Sequence, residues 1–403
     1  MNLLLLTRKT NPDGNSIYNS YTTGITHALP HTTVVDYFDL YFEKGKAAFE
    51  AGILEIVRTQ KIDTVLINFV SGDLTFDLFF LERLAKECYM IMNFFDSELF
   101  FEPIDRYYAQ CADLVLLPTA SHFVYSYTLL NIPARSIFSL FDTHRYTPLS
   151  TTKEIDVSFV GDVSKLSRRR FLDALQKAGY KVEVFGYGSP NGCVSFDQMI
   201  AIFNRSKINL NFSDTIHERT FNFATNTNYR IVPKIMQYMT QIKGRSIEAA
   251  LCKGFVLSQY ATGLEELFSN EEIAWFESEK ALIERVAYYL SHEEEREKMA
   301  QKAYEKALER YDARKAFEAI FASIDLSKRT TKTLYSDRAF EQNYATHHAL
   351  YFFNFLFKGK WSLCMQELKL LYHASCLDWI TVISHLRQQF RYQIVQKYLR
   401  RFS

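Results

Sequence analysis

The stretch QIKGRSIEAALCKGFVLSQYATGLEELF, residues 241–268, gathers side chains suited to an anionic ligand. Lys243 and Arg245 flank Gly244 just before a small-residue segment of helical composition. Two cations at a helix start form an anion cradle, because first-turn N–H groups add partial positive charge. Arg brings a planar fork that fits phosphate oxygens, and Lys a point charge. Glu248 follows, and its carboxylate can accept hydrogen bonds from the two adjacent hydroxyls of a ribose. The same residues would also suit a plain salt-bridged helix start.

Other candidates lie at the ends of apolar runs. Gly254 allows a tight turn into a strand at 255–258, and Thr262-Gly263 opens a second helix at 264. There Glu265 is expected to face the same cleft and Glu266 the solvent. Gly161 ends another apolar run and precedes DVSKLSRRR, from which Lys165 and Arg168 could reach phosphate. Arg169 and Arg170 fit a solvated helix face. Gly14, in Asp13-Gly14-Asn15-Ser16, could bring backbone close to a diphosphate, although the loop lacks GxGxxG and also reads as an ordinary turn. Asp96 follows the run 89–94, where a carboxylate could act as general base or sugar-hydroxyl acceptor. His144 and Arg145 sit in a polar connection, and His217 and Arg219 in a loop that could line a cleft.

The elements needed to position these residues repeat a simple pattern. Short apolar runs at 3–6, 33–37, 64–69, 89–94 and 114–117 alternate with helical periodicity at 17–29, 44–59, 74–88 and 104–110. Such alternation predicts an α/β fold with a mostly parallel sheet covered on both faces. A polar, proline-marked segment at 140–156 reads as a hinge. The pattern then restarts, with strands at 157–161, 181–186, 208–212 and 255–258. Helices are expected at 168–178, 196–204, 246–251, 277–290 and 293–311. We therefore expect two doubly wound, Rossmann-like domains facing a cleft, at 1–145 and 146–328. The remainder, 329–403, reads as a helical extension, and its segment 331–403 carries ten Lys/Arg against four Asp/Glu. It suits packing on the body, an oligomer contact, or a peripheral membrane contact through the basic amphipathic segment 387–401.

Composition excludes several classes. Net charge is +1, and the basic residues form no aromatic-interleaved stripe across the body, which argues against a nucleic-acid partner. No run approaches the roughly 18 apolar residues of a membrane span. The opening MNLLLLTRKT is too soon charged for a signal peptide. Six scattered cysteines without CxxC spacing read as reduced thiols of a cytoplasmic protein. Histidine spacing suggests no metal site, and no DxD triplet occurs, so neither cofactor nor metal is expected.

Three segments resemble the two-domain glycosyltransferases of the GT-B fold, group 1 (GT4-like), closest to the CgeB-like branch. They are LFDTHRYTP at 140–148, DVSFVG at 156–161, and KGRSIEAALCKGFVLSQYATGLEELF with the later YYLSHEEEREKMAQKAYEKALERY at 288–311. The resemblance implies that the second domain binds a nucleotide-sugar donor and the first domain an acceptor. It assigns the donor ribose to Glu248 and the diphosphate to Lys243 and Arg245. Gly14 corresponds loosely to the N-terminal glycine loop. Two family positions differ: Thr240 stands where a sugar-contacting glutamate is usual, and Asp162 where an arginine is usual. Asp96 lies near the usual place of a histidine. The implied activity is sugar transfer to a glycan or lipid-linked acceptor in bacterial surface polysaccharide synthesis, at the inner face of the membrane. Retention of configuration is the family default, and Asp96 as base would allow inversion. An inactive sugar-nucleotide-binding scaffold and a sugar-nucleotide epimerase are the alternatives.

Overall fold

The computed structural model describes residues 1–9, 17–163, 165–214, 220–222, 227–229, 239–330, 334–372, 377–384 and 386–387. The first sheet contains β1 (Leu3–Thr7), β2 (Thr33–Asp36), β3 (Thr64–Phe69), β4 (Tyr89–Phe94), β5 (Leu114–Leu117) and β6 (Ala134–Ser136), in the order 2-1-3-4-5-6. Every neighbouring pair is parallel. The second sheet contains β7 (Ile155–Val160), β8 (Val182–Phe185), β9 (Ser206–Asn211), β12 (Val256–Gln259) and β13 (Ala274–Phe276), in the order 13-12-9-7-8, again all parallel. A short antiparallel pair, β10 (Thr220–Asn222) and β11 (Thr227–Tyr229), stands apart. The architecture is thus the expected pair of doubly wound lobes with additional C-terminal helices. β1, β3, β4 and β5 are buried along their whole length, which is why they read as unbroken apolar runs.

Helix boundaries follow local chemistry. Asp77 caps the helix Leu78–Glu87 by accepting from the amides of Phe79 and Phe80, so this helix starts later than apolar spacing alone suggests. Helix Phe196–Arg205 opens with a reciprocal capping box between Ser195 and Gln198. Helix Tyr37–Thr59 is bent at Gly45, whose φ of 76° no helical residue adopts.

The chain crosses between the lobes twice. It leaves the first lobe after β6 and returns through helix Ala313–Ala322, which packs on helix Ile17–Ala28. Ala313, Phe317 and Phe321 share a core with Leu3, Leu5, Tyr21 and Ile25. The two crossings bond to each other: Phe141 N–H donates to Tyr311 O at 2.9 Å, and Ala313 N–H to Phe141 O at 2.8 Å. Helices Arg338–Phe357 and Trp361–Tyr372 pack on each other and on the first lobe, the second of them against helix Tyr37–Thr59. Phe340, Leu350, Tyr351, Phe355 and Leu363 enter a core with Tyr41, Phe49 and Phe76. Of the basic segment 387–401, all but Arg387 lies outside the described residues.

Gly24 is where the two packed helices come closest. A Cβ there would stand 2.5 Å from Ala313 O and 2.7 Å from Ala313 C. In an exposed helix, Gly→Ala would stabilise by about 1 kcal/mol. Here the clash is with backbone, and Gly24→Ala is expected to destabilise by about 1–3 kcal/mol. Urea denaturation measures it, and a higher midpoint than the parent's would refute the packing argument.

Candidate functional site

A cavity of about 360 Å³ opens between the lobes. Its floor is the carboxyl edge of the second sheet: Val160, Gly161 and Asp162 where β7 ends, and Asn211 and Phe212 where β9 ends. The chain runs from β7 outward to β8 and then back to β9 on the other side of β7. The cavity therefore sits where crossover direction reverses, the usual ligand position in an open α/β sheet. Lys243, Gly244, Arg245 and Glu248 form one wall, and Ser139, Phe141 and Ile17 close it from the crossing and the first lobe.

Glu248 is 5% exposed. A bare carboxylate at that depth would be costly, and two donors hold it. Arg245 Nη1 lies 2.8 Å from Oε2, and Tyr146 Oη donates to Oε1 at 2.9 Å. Burial, and then the neighbouring Glu248 carboxylate, push the Tyr146 hydroxyl well above its usual range, so it stays protonated and remains a donor. Tyr146 was not singled out in sequence, although it lies within the segment LFDTHRYTP. Its role depends on a contact with a residue about a hundred positions away, which no local pattern encodes. Arg245 lines the cavity, but its guanidinium is turned toward Glu248 and also lies against Met199 Sδ and above the Phe203 ring.

Gly161 allows close approach. A Cβ would stand 2.7 Å from Phe159 Cζ and 3.4 Å from Arg168 Nη1. Asp162 occupies the next position, yet a guanidinium reaches this point from the following helix, Leu166–Lys177. Arg168 Nη1 donates to Asp162 O at 2.8 Å, Nε pairs with Asp214 Oδ2 at 3.2 Å, and the group stacks over Phe159. Lys165 donates to Asp214 O at 3.2 Å and stands beside the cavity rather than in its wall. Burial, then the charges of Arg168 and Lys243, lower its pKa to about 8.

Lys243 joins the lobes. Its Nζ donates to Gln241 Oε1 at 2.7 Å and lies 3.6 Å from Asp96 Oδ1 in the first lobe. Asp96 follows β4 in a left-handed backbone conformation, φ 54°, and accepts from Ser71 Oγ at 2.8 Å. Gln241 Nε2 donates across the cleft to Glu98 Oε2 at 3.0 Å. Further out, Ser121 N–H and Oγ each donate to Glu266 at 2.9 Å, and Gly263 abuts Ala120. Both glutamates are exposed, and the one that bonds to the opposite lobe is Glu266 rather than the expected Glu265. Glu265 instead accepts from Tyr260 Oη within its own lobe. Neither Gly263 nor Glu265 lines the cavity. The structure thus brings together Gly161, Lys243, Arg245 and Glu248, sets Asp96 and Lys165 next to them, and holds Gly263 and Glu265 apart. Gly14, His217 and Arg219 lie outside the described residues. His144 and Arg145 do not line the cavity, and Arg145 stacks on Phe196. Among the described residues no group of His, Cys, Asp and Glu could hold a metal ion.

Residues 168–322 match the family described as "Glycosyl transferase-like", to which this segment is similar. No curated protein matches the chain. Among solved structures, a glycosyltransferase from Rickettsia africae is similar over 81% of this chain and 99% of its own, with 13% identity and a TM-score of 0.54. Anabaena HepE in complex with UDP and glucose is similar over 80% and 100%, with 12% identity and a TM-score of 0.53. Sucrose-phosphate synthase from Thermosynechococcus elongatus is similar over 80% and 98%, with 10% identity and a TM-score of 0.52. At these identities the likeness is one of fold, and it is the two-lobed GT-B architecture.

Tyr146→Phe removes one of the two donors to a buried carboxylate. Hydrogen bonds to charged groups contribute about 1.5–3 kcal/mol, so a loss of stability of that order is expected by chemical denaturation. An unchanged midpoint would mean that Arg245 alone satisfies Glu248.

Proposed function

We propose that the protein transfers a sugar from a nucleotide-sugar donor to a glycan or lipid-linked acceptor. The observation that carries this reading is the buried Glu248 held beside Gly161, Arg168 and Lys243 at the reversal point of the second sheet. A carboxylate with free lone pairs suits the paired hydroxyls of a ribose. A glycine flanked by cations suits the diphosphate. Arg168 and Lys243 would then stabilise negative charge as it develops on the leaving nucleoside diphosphate. The acceptor would lie on the first lobe, with its hydroxyl near Asp96.

Without donor, Lys243 and Asp96 are close enough to neutralise each other. A bound diphosphate would compete for Lys243 and leave Asp96 available to accept the acceptor proton. That path inverts the anomeric carbon. Retention, implied by the family resemblance, would leave the proton to the departing phosphate. NMR of the product's anomeric configuration decides between them. Thr240, in place of a sugar-contacting glutamate, favours a second reading in which the protein binds donor without turnover. Any measurable transfer or donor hydrolysis would remove that reading.

The first experiment is calorimetric titration with UDP-, GDP-, ADP- and CMP-sugars. One donor class should bind, and Glu248→Ala or Arg245→Ala should weaken it by about 10- to 100-fold, equivalent to about 1.5–3 kcal/mol, with the fold retained. Unchanged affinity in both variants would sink the site assignment. Lys165 sets the pH dependence. Its cationic form favours the anion, so affinity should hold below pH 8 and fall as pH rises through about 8. Lys165→Gln should flatten this profile, and a parent profile flat from pH 7 to 9 would exclude the role.

We further propose that the C-terminal extension meets an anionic membrane face, consistent with a lipid-linked acceptor in surface polysaccharide synthesis. Trp361, Met365, Leu368 and Tyr372 form one exposed apolar stripe on their helix, in an extension rich in Lys and Arg. No described helix is long and apolar enough to cross a membrane. Co-sedimentation with phosphatidylglycerol vesicles, reduced by Trp361→Ser with Tyr372→Ser, is the expected result. Equal sedimentation with neutral vesicles, or none, would count against it.

A further inference from the structure

The face of the first lobe covered by the C-terminal helices holds a polar cluster, although its surroundings are apolar. His347, His348 and Tyr351 of helix Arg338–Phe357 are at most 1% exposed, as is Glu367 of the next helix. They surround residues 70–76, the loop at the carboxyl end of β3. His348 Nε2 lies 3.2 Å from Leu74 O, which can only accept, so this nitrogen carries a proton. Its Nδ1 meets Glu367 Oε2 at 2.8 Å, and Tyr41 Oη donates to Glu367 Oε1 at 2.5 Å. Tyr351 Oη and Thr75 Oγ1 bond at 2.7 Å. Thr75 donates through N–H and Oγ to Asp73 Oδ1, Tyr37 Oη donates to Asp73 Oδ2 at 3.1 Å, and His347 Nε2 stands 3.6 Å from Asp73. Burial holds the His347 imidazole below its usual pKa.

Stability alone does not call for such a cluster. Replacing buried polar and charged groups with apolar side chains of similar volume is often neutral or stabilising. What the cluster adds is direction. Its bonds go to named backbone and side-chain atoms of one loop, and that loop reaches the cleft: Ser71 Oγ donates to Asp96 Oδ2 at 2.8 Å and lies 3.3 Å from Phe95 O. Asp96 holds a left-handed backbone, uncommon for residues other than glycine, and Ser71 is a hydrogen-bond partner of its carboxylate there.

We infer that His348 and Tyr351 are positioning residues for Asp96. They set the loop 70–76 through Leu74 and Thr75, and the loop sets the Asp96 carboxylate through Ser71. The C-terminal extension would thus be part of the acceptor half of the site. The inference rests on the reading of Asp96 as the acceptor-side group.

Hydrogen exchange tests the mechanical link without need for activity. Tyr351→Phe and His348→Gln should speed exchange at residues 70–76 and 95–98 and leave 245–251 unchanged. Unchanged exchange at 95–98 in both variants would overturn the inference, whatever the protein catalyses. Kinetics test its consequence. Both variants should lower transfer kcat about tenfold, with donor affinity within about twofold of the parent. Ser71→Ala should reproduce the kcat loss while residues 70–76 keep their parental exchange. Combining Ser71→Ala with Tyr351→Phe should add little, because the two act along one path. Parallel losses of kcat and donor affinity, tracking the fraction unfolded, would reduce the cluster to a structural role and overturn the inference. A parent that binds no nucleotide sugar at all would instead refute the donor reading, and the exchange result would still stand on its own.

Discussion

Phe141 uses both its amide and its carbonyl to tie the outgoing crossing to the returning one at Tyr311 and Ala313. Much else depends on this short parallel contact. It brings helix Ala313–Ala322 back onto the first sheet, where Gly24 admits the Ala313 backbone. It also sets Ser139 and Phe141 against Gly244, and the chain beyond it carries Tyr146 to Glu248. Thr143 donates to Asp312, and Arg314 lies 3.4 Å from Asp142, so the crossing is held by side chains as well as backbone. The lobes thus share a packed joint, and the cavity is formed where that joint meets the carboxyl edge of the second sheet.

The cations around the cavity are paired locally with carboxylates. Arg168 pairs with Asp214, Arg245 with Glu248, and Lys243 with Asp96. Each cation is therefore held in place before any ligand arrives, which lowers the entropy lost on binding. The pairs differ in depth. Arg168 and Asp214 are nearly enclosed, Glu248 is buried beneath a more open Arg245, and Lys243 and Asp96 stand at the mouth between lobes. Relative movement of the lobes would alter the last pair first, because it alone of the three spans them.

The C-terminal helices complete the first lobe rather than decorate it. Their apolar side chains join a core that also contains Tyr41, Phe49 and Phe76. Their polar side chains bond to the loop after β3. The outer stripe from Trp361 to Tyr372 remains exposed. One element therefore presents an apolar outer surface while bracing, through buried polar contacts, a loop that reaches the cleft.

Most strand positions, the helix alternation and the two-lobed class were legible from sequence, whereas the short edge strands β6 and β13 were not. Fully buried parallel strands require continuous apolar runs, and their covering helices require the helical period, so both leave local marks. Gly161, Lys243, Arg245 and Glu248 stood out for a similar reason: they lie at strand and helix boundaries, where local chemistry is conspicuous. Tyr146 beneath Glu248, and the bonding of Glu266 rather than Glu265 to the opposite lobe, were decided only in three dimensions. Each depends on which lobe or strand end is brought opposite, and two adjacent glutamates look alike until one of them meets Ser121. The extension shows the same division. Its helical spacing and positive charge are properties of the chain read in order. Its buried histidines gain their roles from a loop more than 270 residues away, because hydrogen bonding depends on distance and direction in space rather than on order along the chain.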